Sequence, residues 1–523
     1  MITKIRWHIV FYAIVSVVVI SCSSHKEPVE QKPPNIILVL ADDMGYGELG
    51  AYGQEIIETP NIDKLAETGM RFTQHYSGAP VCAPARCILL TGMHSGHAYV
   101  RGNDEWASRG AVWNYDSMFV NPNLEGQRPL PDSITTIAQL LQRGGYTTAL
   151  IGKWGLGGPM TESIPNTRGF DFFFGYNCQR QAHTYYPLHL WKNSEKVLLS
   201  NENVAPNTKL AKDTDPENPD SYNKFTLNQY SPDLMMREVE GFIDNNADNP
   251  FFLYYATPIP HVPLQADSKW LTYYQEKLGK EDPYLGDRGY FPNQTPRAAY
   301  AAMISYLDEQ VGQIVRQLKE KGIYENTLII FTSDNGASYA GGADTQFFNS
   351  NRPFGSEYGR GKGFVYEGGI RVPMIASWPG RISAGSTSDH ISAFYDYFPT
   401  LADLAGIKEL SSNDGISFLP TLTGEANQQE HDYLYWEFPE YNGQVAIRDG
   451  DFKFIWKDLL GEEPKVEMYN LKEDPGELNN IAQDHPDLID KFSSIIKKEH
   501  TLAAIERFRI PLLDADTLML TSP

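Results

Sequence analysis

The sequence predicts an α/β protein, with a large, mainly parallel sheet flanked by helices and a smaller C-terminal α+β subdomain. Three observations predict it. Short apolar runs alternate with helical patterns over residues 35–424. Chemically able side chains follow directly after those runs. Beyond about Gly424 the runs become short and closely spaced, with turn residues between them.

Ile36–Ala41, Tyr146–Ile151, Phe251–Ala256, Leu328–Thr332 and Val372–Ser377 read as buried strands. Continuous apolar runs of this length suit strands covered on both faces. Ile134, Ile137, Ala138 and Leu141 recur at helical spacing, with Asp132 and Ser133 as the expected cap and Gly144-Gly145 as the stop. A longer helix is expected from about Pro296 to Lys321, with Ala299, Met303, Leu307, Val311, Ile314 and Leu318 on one stripe. In the subdomain, residues 425–523, the runs Tyr433–Phe438, Gln444–Arg448, Phe452–Trp456 and Val466–Tyr469 predict a small antiparallel sheet. A helix from about Pro486 to His500 should pack on it.

At 523 residues and 41% hydrophobic content the chain can bury a large core. Its net charge of −22 disfavours a nucleic-acid partner. Lys4 and Arg6 precede an apolar run, Ile9–Ile20, that falls short of the roughly 20 residues a spanning helix needs. The run ends in Val19-Ile20-Ser21-Cys22, which resembles a bacterial lipobox. Residues 1–21 are therefore expected to be a signal peptide of the lipoprotein type, with lipidation at Cys22. An ordinary signal peptide is the alternative. Residues 22–34, polar and Pro-rich, suit a tether. The expectation is an exported bacterial lipoprotein, periplasmic or at the outer membrane or cell surface, touching the membrane through its lipid only. The chain has four cysteines, too few for a disulfide framework. Cys87 and Cys178 could pair, and the sequence leaves that open.

Four strand ends carry complementary groups. The first runs into Asp42-Asp43, another into Gly152-Lys153, a third leads to His261, and a fourth into Asp334-Asn335. An Asp after a strand is commonly a turn residue. Four such ends in a sheet whose ligands sit beyond the strand C-termini argue for one site. Asp42, Asp43, Asp334 and Asn335 form an all-oxygen set, which favours Ca²⁺, or Mg²⁺, over Zn²⁺.

The run Cys82-Ala83-Pro84-Ala85-Arg86, followed by Cys87-Ile88-Leu89-Leu90-Thr91-Gly92, resembles the signature of type I, formylglycine-dependent sulfatases of the alkaline phosphatase superfamily. The segments Gly361–Pro373 and Tyr469–Pro475 resemble two further stretches of that family. The resemblance implies an alkaline-phosphatase-like fold and hydrolysis of a sulfate ester on a sulfated carbohydrate. It implies that a formylglycine-installing maturation enzyme converts Cys82 to Cα-formylglycine (3-oxoalanine), whose hydrate is the nucleophile. It assigns a calcium ion to Asp42, Asp43, Asp334, Asn335 and the modified Cys82. Arg86, Lys153 and Lys362 would stabilise charge on the sulfuryl group, and His261 would protonate the leaving oxygen.

Two departures stand out. The family commonly has histidine where this chain has Gly155, and His183 is the candidate to fill that gap or to touch substrate. Ala85 replaces a common serine, and the Cys, Pro and Arg of the signature remain. Cys87 receives no role. Substrate contacts are expected from loops: Asn103, the Gln179–His183 loop with Arg180 and His183, Trp191 and Glu437 are the candidates, with galactose or N-acetylgalactosamine sulfate as the sugar. The rival readings are a phosphonate monoester or phosphodiester hydrolase of the same superfamily and a non-catalytic glycan-binding lipoprotein.

Overall fold

The computed structural model describes residues 32–408 and 410–515. The expected signal peptide, Cys22 and most of the tether lie outside the described residues.

Ten strands form the main sheet. In chain order they are Asn35–Ala41 (β1), Met70–Phe72 (β2), Thr147–Lys153 (β3), Phe172–Tyr176 (β4), His189–Lys192 (β5), Glu195–Leu198 (β6), Phe251–Ala256 (β7), Thr327–Ser333 (β8), Met374–Ser377 (β9) and Ser386–Ser388 (β10). Their spatial order is β10-β2-β9-β8-β1-β7-β3-β4-β5-β6. The centre, β8-β1-β7-β3-β4, is parallel throughout. Both of its faces are buried. Along β1, Ile36, Leu38 and Leu40 enter one core, and Ile37 and Val39 enter the other. That double burial is why the central strands read as unbroken apolar runs.

The flanks differ from the centre. β9, expected from the run Val372–Ser377, starts at Met374 and pairs antiparallel with β8. β5 and β6 also join antiparallel. The sheet is therefore mixed, with a parallel heart.

Three helices position the site. Cys82–Thr91 (α1) and Ile137–Arg143 (α2) cover one face, and Pro296–Glu320 (α3) covers the other. α2 starts later than expected, because its cap is Thr136. The Thr136 hydroxyl accepts from Gln139 N, and the Gln139 side chain accepts from Thr136 N, so the two close a reciprocal capping box. Ile134 is left outside the helix.

The C-terminal subdomain is a meander of Leu434–Phe438 (β11), Gln444–Asp449 (β12), Phe452–Lys457 (β13) and Lys465–Asn470 (β14). The helix Pro486–Glu499 (α4) packs on it through Phe492, whose ring lies 5.2 Å from that of Phe454. Lys453 on β13 is fully buried and bridges Glu367 at 2.9 Å and Glu477 at 2.8 Å. Glu367 lies just beyond Lys362 in the chain, so this buried pair ties the meander to the site-forming segment. Among the described residues no helix is long and apolar enough to cross a membrane.

Breaking a buried ion pair by removing one partner costs about 3–5 kcal/mol, because the other charge is left uncompensated. Lys453→Met should therefore lower unfolding stability by about that amount in a urea melt. A loss below about 1 kcal/mol would show that the bridge does not hold the meander in place.

Candidate active site

The site forms where four parallel strands end. Asp42 and Asp43 follow β1, Lys153 ends β3, Thr257–His261 follows β7, and Asp334 and Asn335 follow β8. All of these residues except Pro258, Pro260 and Ile259 offer polar side chains, and all are buried. Asp43 sits in the left-handed backbone region at φ 68°, which Asp tolerates better than most residues. That turn points its carboxylate back over the strand ends.

α1 delivers Cys82 as its first residue, with Val81 still extended. Asn103 Oδ1 accepts from Ala83 N at 3.2 Å, so Asn103 caps the turn that carries the cysteine. The Cys82 Sγ lies 3.4 Å from Asp42 Oδ1, 3.8 Å from Asp43 Oδ1 and 3.5 Å from Lys362 Nζ. One helical turn on, Arg86 folds back. Its Nη2 and Nε bind Asp334 Oδ2 at 2.8 and 3.1 Å, and its Nη1 donates to the Lys153 carbonyl at 2.9 Å. Lys153 Nζ binds Asp42 Oδ2 at 2.5 Å, and Lys362 Nζ binds Asp43 at 2.7 Å. Three aspartates thus face three cations in a buried pocket.

Burial sets the ionisation of these groups. It pushes the Cys82 thiol well above its usual range, despite Lys153 and Lys362 nearby. An unmodified Cys82 would be a poor nucleophile at neutral pH. Burial opposes ionisation of Asp42 as well, but Lys153, His261, Arg86 and Lys362 together hold it well below the usual carboxylate range. Burial and Asp42 push Asp334 upward, against the pull of Arg86. Burial and Lys362 push His261 well below the usual imidazole range. Its Nδ1 donates to the Val262 carbonyl at 2.5 Å, and its Nε2 faces Asp43 Oδ2 at 3.6 Å. The negative charge of a bound ester would draw a proton onto that Nε2.

The donor set fits a hard divalent cation. Ligand atoms of Asp42, Asp43, Cys82 and His261 all lie within 4.8 Å of one another. Asn335 donates its amide hydrogen to Asp43 at 2.8 Å, while its Oδ1 is buried without a hydrogen-bond partner. An orphaned carbonyl oxygen among crowded carboxylates is what an oxygen-ligated ion would satisfy.

The family model named Sulfatase matches residues 34–407. This chain belongs to the sulfatase family. A second model, N-sulphoglucosamine sulphohydrolase C-terminal, matches residues 357–501 of this sulfatase. N-acetylgalactosamine-6-sulfatase of Rattus norvegicus is 33% identical over 402 residues, covering 75% of this chain and 66% of the rat protein. Arylsulfatase A of Homo sapiens is 30% identical over 480 residues, covering 86% of this chain and 83% of the human protein. Among solved structures, Ps i-CgsB in complex with k-i-k-neocarrahexaose aligns with a TM-score of 0.69 and 28% identity, covering 90% of this chain and 92% of that one. The mixed sheet with its antiparallel C-terminal meander is the alkaline-phosphatase-like fold of these sulfatase neighbours.

The structure sorts the remaining candidates of this sulfatase. The His183 ring stacks on His261, with centroids 5.5 Å apart and planes 10° from parallel. Burial and His261 push His183 well below the usual imidazole range. The space over Gly155 belongs to another residue. Gly155 has φ +80°, and a Cβ there would lie 2.3 Å from Gln179 Nε2. Gln179 is buried, and that amide nitrogen has no partner. The sequence offered Gln179 only as part of a substrate-contacting loop, because the fold alone reveals that it fills the gap. Arg180 is fully buried, with its guanidinium bound to Glu105 and to the Leu124 carbonyl. Trp191 is buried and donates to Glu125 at 2.6 Å. Glu437 is buried between Arg101 at 2.7 Å and His500 at 2.9 Å. These three buried side chains are committed to those partners. Cys82, Cys87 and Cys178 are all free, so the possible Cys87–Cys178 pair does not form.

Ca²⁺ binding at the strand ends should stabilise the fold, by about 2.7 kcal/mol at a hundredfold excess over Kd. Differential scanning fluorimetry with and without Ca²⁺ checks this. Asn335→Ala should lose most of the Ca²⁺-dependent rise in Tm. An equal rise in wild type and variant would place the ion elsewhere.

Proposed function

We propose that this protein is a sulfatase that hydrolyses a sulfate ester on a sulfated glycan, releasing the alcohol and inorganic sulfate. The observation that carries the reading is Cys82, held at the start of α1 between two aspartates and a lysine, with Arg86 folded back beside it. The relatives' names support the ester class, and the similar structure of Ps i-CgsB was solved in complex with k-i-k-neocarrahexaose. Conversion of Cys82 to formylglycine would supply a hydrated aldehyde with one hydroxyl to attack sulfur and a second to expel sulfate. A Ca²⁺ or Mg²⁺ ion held by Asp42, Asp43, Asp334 and Asn335 would supply positive charge next to the sulfuryl oxygens.

The chain's own residues do the rest. Lys153 and Lys362 now neutralise Asp42 and Asp43 across the mouth, and they lie where an incoming sulfate would meet their ammonium groups. Arg86, anchored on Asp334, fixes the first turn of α1 and so the position of residue 82. The sulfur–oxygen bond to the leaving group breaks, and His261 Nε2 delivers a proton to the departing oxygen. Val262 holds the other ring nitrogen, so the ring presents Nε2 to the site. The oxygen that ends on sulfate comes from water over the full cycle. His183, stacked on His261, steadies the ring that moves the proton. Lys4, Arg6 and the Cys22 lipobox support an exported lipoprotein, with a maturation enzyme acting on Cys82 in its own host.

The test compares esters. Protein from the native host is expected to release sulfate from an aryl sulfate and from sulfated galactosides far faster than it cleaves a phosphonate monoester or a phosphodiester. A preference for the phosphorus esters would overturn the sulfatase reading. His261→Ala should lower kcat by about 10²–10⁴-fold on a sugar with a poor leaving group. For His183→Ala, single-turnover cleavage and the later release of enzyme-bound sulfate should not both stay at the wild-type rate. If both did, His183 would have no part in the reaction.

A further inference from the structure

Beside the catalytic lysine lies a cavity of about 520 Å³ that the reaction itself does not use. Lys362 forms part of its lining, and Tyr339, Tyr358 and Tyr441 stand around it, with Arg288 also in its wall. The aromatic rings form a continuous chain. Tyr339 and Tyr358 have centroids 5.6 Å apart, Tyr358 and Phe364 5.8 Å, and Phe364 and Tyr441 5.4 Å.

These rings are displayed. Tyr358 is 76% exposed and Tyr441 51% exposed. Tyr441 stacks on Phe438, with centroids 6.0 Å apart, and still leaves half of its surface to solvent. Tyr441 also sits at φ +49°, a left-handed conformation that is uncommon for a bulky residue. Asn442 and Gly443, next in the same turn, are left-handed as well. The tyrosine occupies the tight turn between β11 and β12, so the C-terminal meander delivers it to the mouth of the main domain.

Two glycines let the rings close on the lysine. Gly363 has φ +89°, and a Cβ there would lie 2.7 Å from Tyr441 Cζ. On the other side of Lys362, Gly361 lies under the Tyr339 hydroxyl. Lys362 therefore emerges between two tyrosines, with its ammonium 2.7 Å from Asp43 and 3.5 Å from Cys82. Anything seated on the tyrosines is continuous with a sulfate seated at residue 82.

We propose that this aromatic-walled cavity is a saccharide subsite that binds the pyranose ring next to the sulfated sugar. The inference rests on the sulfatase reading and deepens it, since it makes an oligosaccharide or polymer the preferred substrate. The occupant follows from the chemistry of the walls. A pyranose presents an apolar face of C–H groups that stacks on an exposed tyrosine, and hydroxyls that meet Ser338, Gln346 and Arg288 in the lining. The volume falls in the range of small-molecule sites and suits a sugar unit. A flat aliphatic or lipid ligand would find no use for those polar groups. Binding energy from a remote sugar can then be expressed in the chemical step, so truncated substrates should lose kcat as well as affinity.

The experiment uses the matured protein with methylumbelliferyl sulfate and matched monosaccharides and tetrasaccharides from chondroitin sulfate and carrageenan. For the sugar that is cleaved, kcat/KM on the tetrasaccharide should exceed that on the monosaccharide by about tenfold or more. Tyr358→Ala and Tyr441→Ala should each erase most of that length-dependent gain, and Tyr441→Phe, which keeps the stacking face, should retain it. Equal rates on the monosaccharide and the tetrasaccharide would overturn the proposal. So would alanine variants that keep the full gain. Failure of the underlying reading looks different: wild-type protein would release no sulfate from any ester while cleaving a phosphonate.

Discussion

The site depends on one buried guanidinium. Arg86 reaches from the first turn of α1 to Asp334 after β8 and to the carbonyl of Lys153 at the end of β3. It is 3.6 Å from Asp42 after β1. One side chain thus links the helix carrying Cys82 to three strand ends. Burying a charge is costly, and it persists only where partners satisfy it. Arg86 meets that condition with a two-nitrogen grip on one carboxylate and a backbone carbonyl. A lysine could not reproduce the planar fork, so the constraint is specific to arginine.

From that anchor the electrostatics follow. Asp42, Asp43 and Asp334 are forced together by the parallel register of β1 and β8, in which Ala41 lies opposite Ser333. Their repulsion is balanced by Arg86, Lys153 and Lys362, one cation to each carboxylate. Burial and the neighbouring Asp42 still push Asp334 upward against the pull of Arg86, and Asn335 leaves an oxygen unsatisfied beside it. A hard cation would relieve both defects. It would also free the two lysines to face an anionic substrate. The C-terminal meander is part of the same construction: Lys453 anchors the segment after Lys362 from behind, and Tyr441 closes over Gly363 from in front.

Much of this was legible in the sequence because it depends on local pattern. The apolar runs gave the central strands, and the polar residues after them gave Asp42, Lys153, His261 and Asp334. The Cys82 signature carried the family resemblance, which the comparisons then bore out. Strand direction was not legible, since burial looks the same in either sense, and β9 is antiparallel. Arg180, Trp191 and Glu437 looked available as loop or surface residues. Their partners Glu105, Glu125 and Arg101 lie far along the chain, so only the fold shows these side chains to be engaged. The place of Gln179 beside Gly155, and Tyr441 altogether, were missed for the converse reason. One matters because Gly155 leaves a space beside it, and the other because a turn from a separate sheet brings it over Gly363.

The account makes Cys82 the precursor of the nucleophile. Its thiol is pushed far above neutral pH by burial, so in the unmodified form it leaves the surrounding cations and His261 without a partner for chemistry. The decisive measurement is peptide mass spectrometry across Cys82 on protein made in its own host. The account predicts a peptide about 18 Da lighter than the cysteine form, the mass change of thiol-to-aldehyde conversion. An intact thiol in protein that nevertheless releases sulfate at full rate would contradict it.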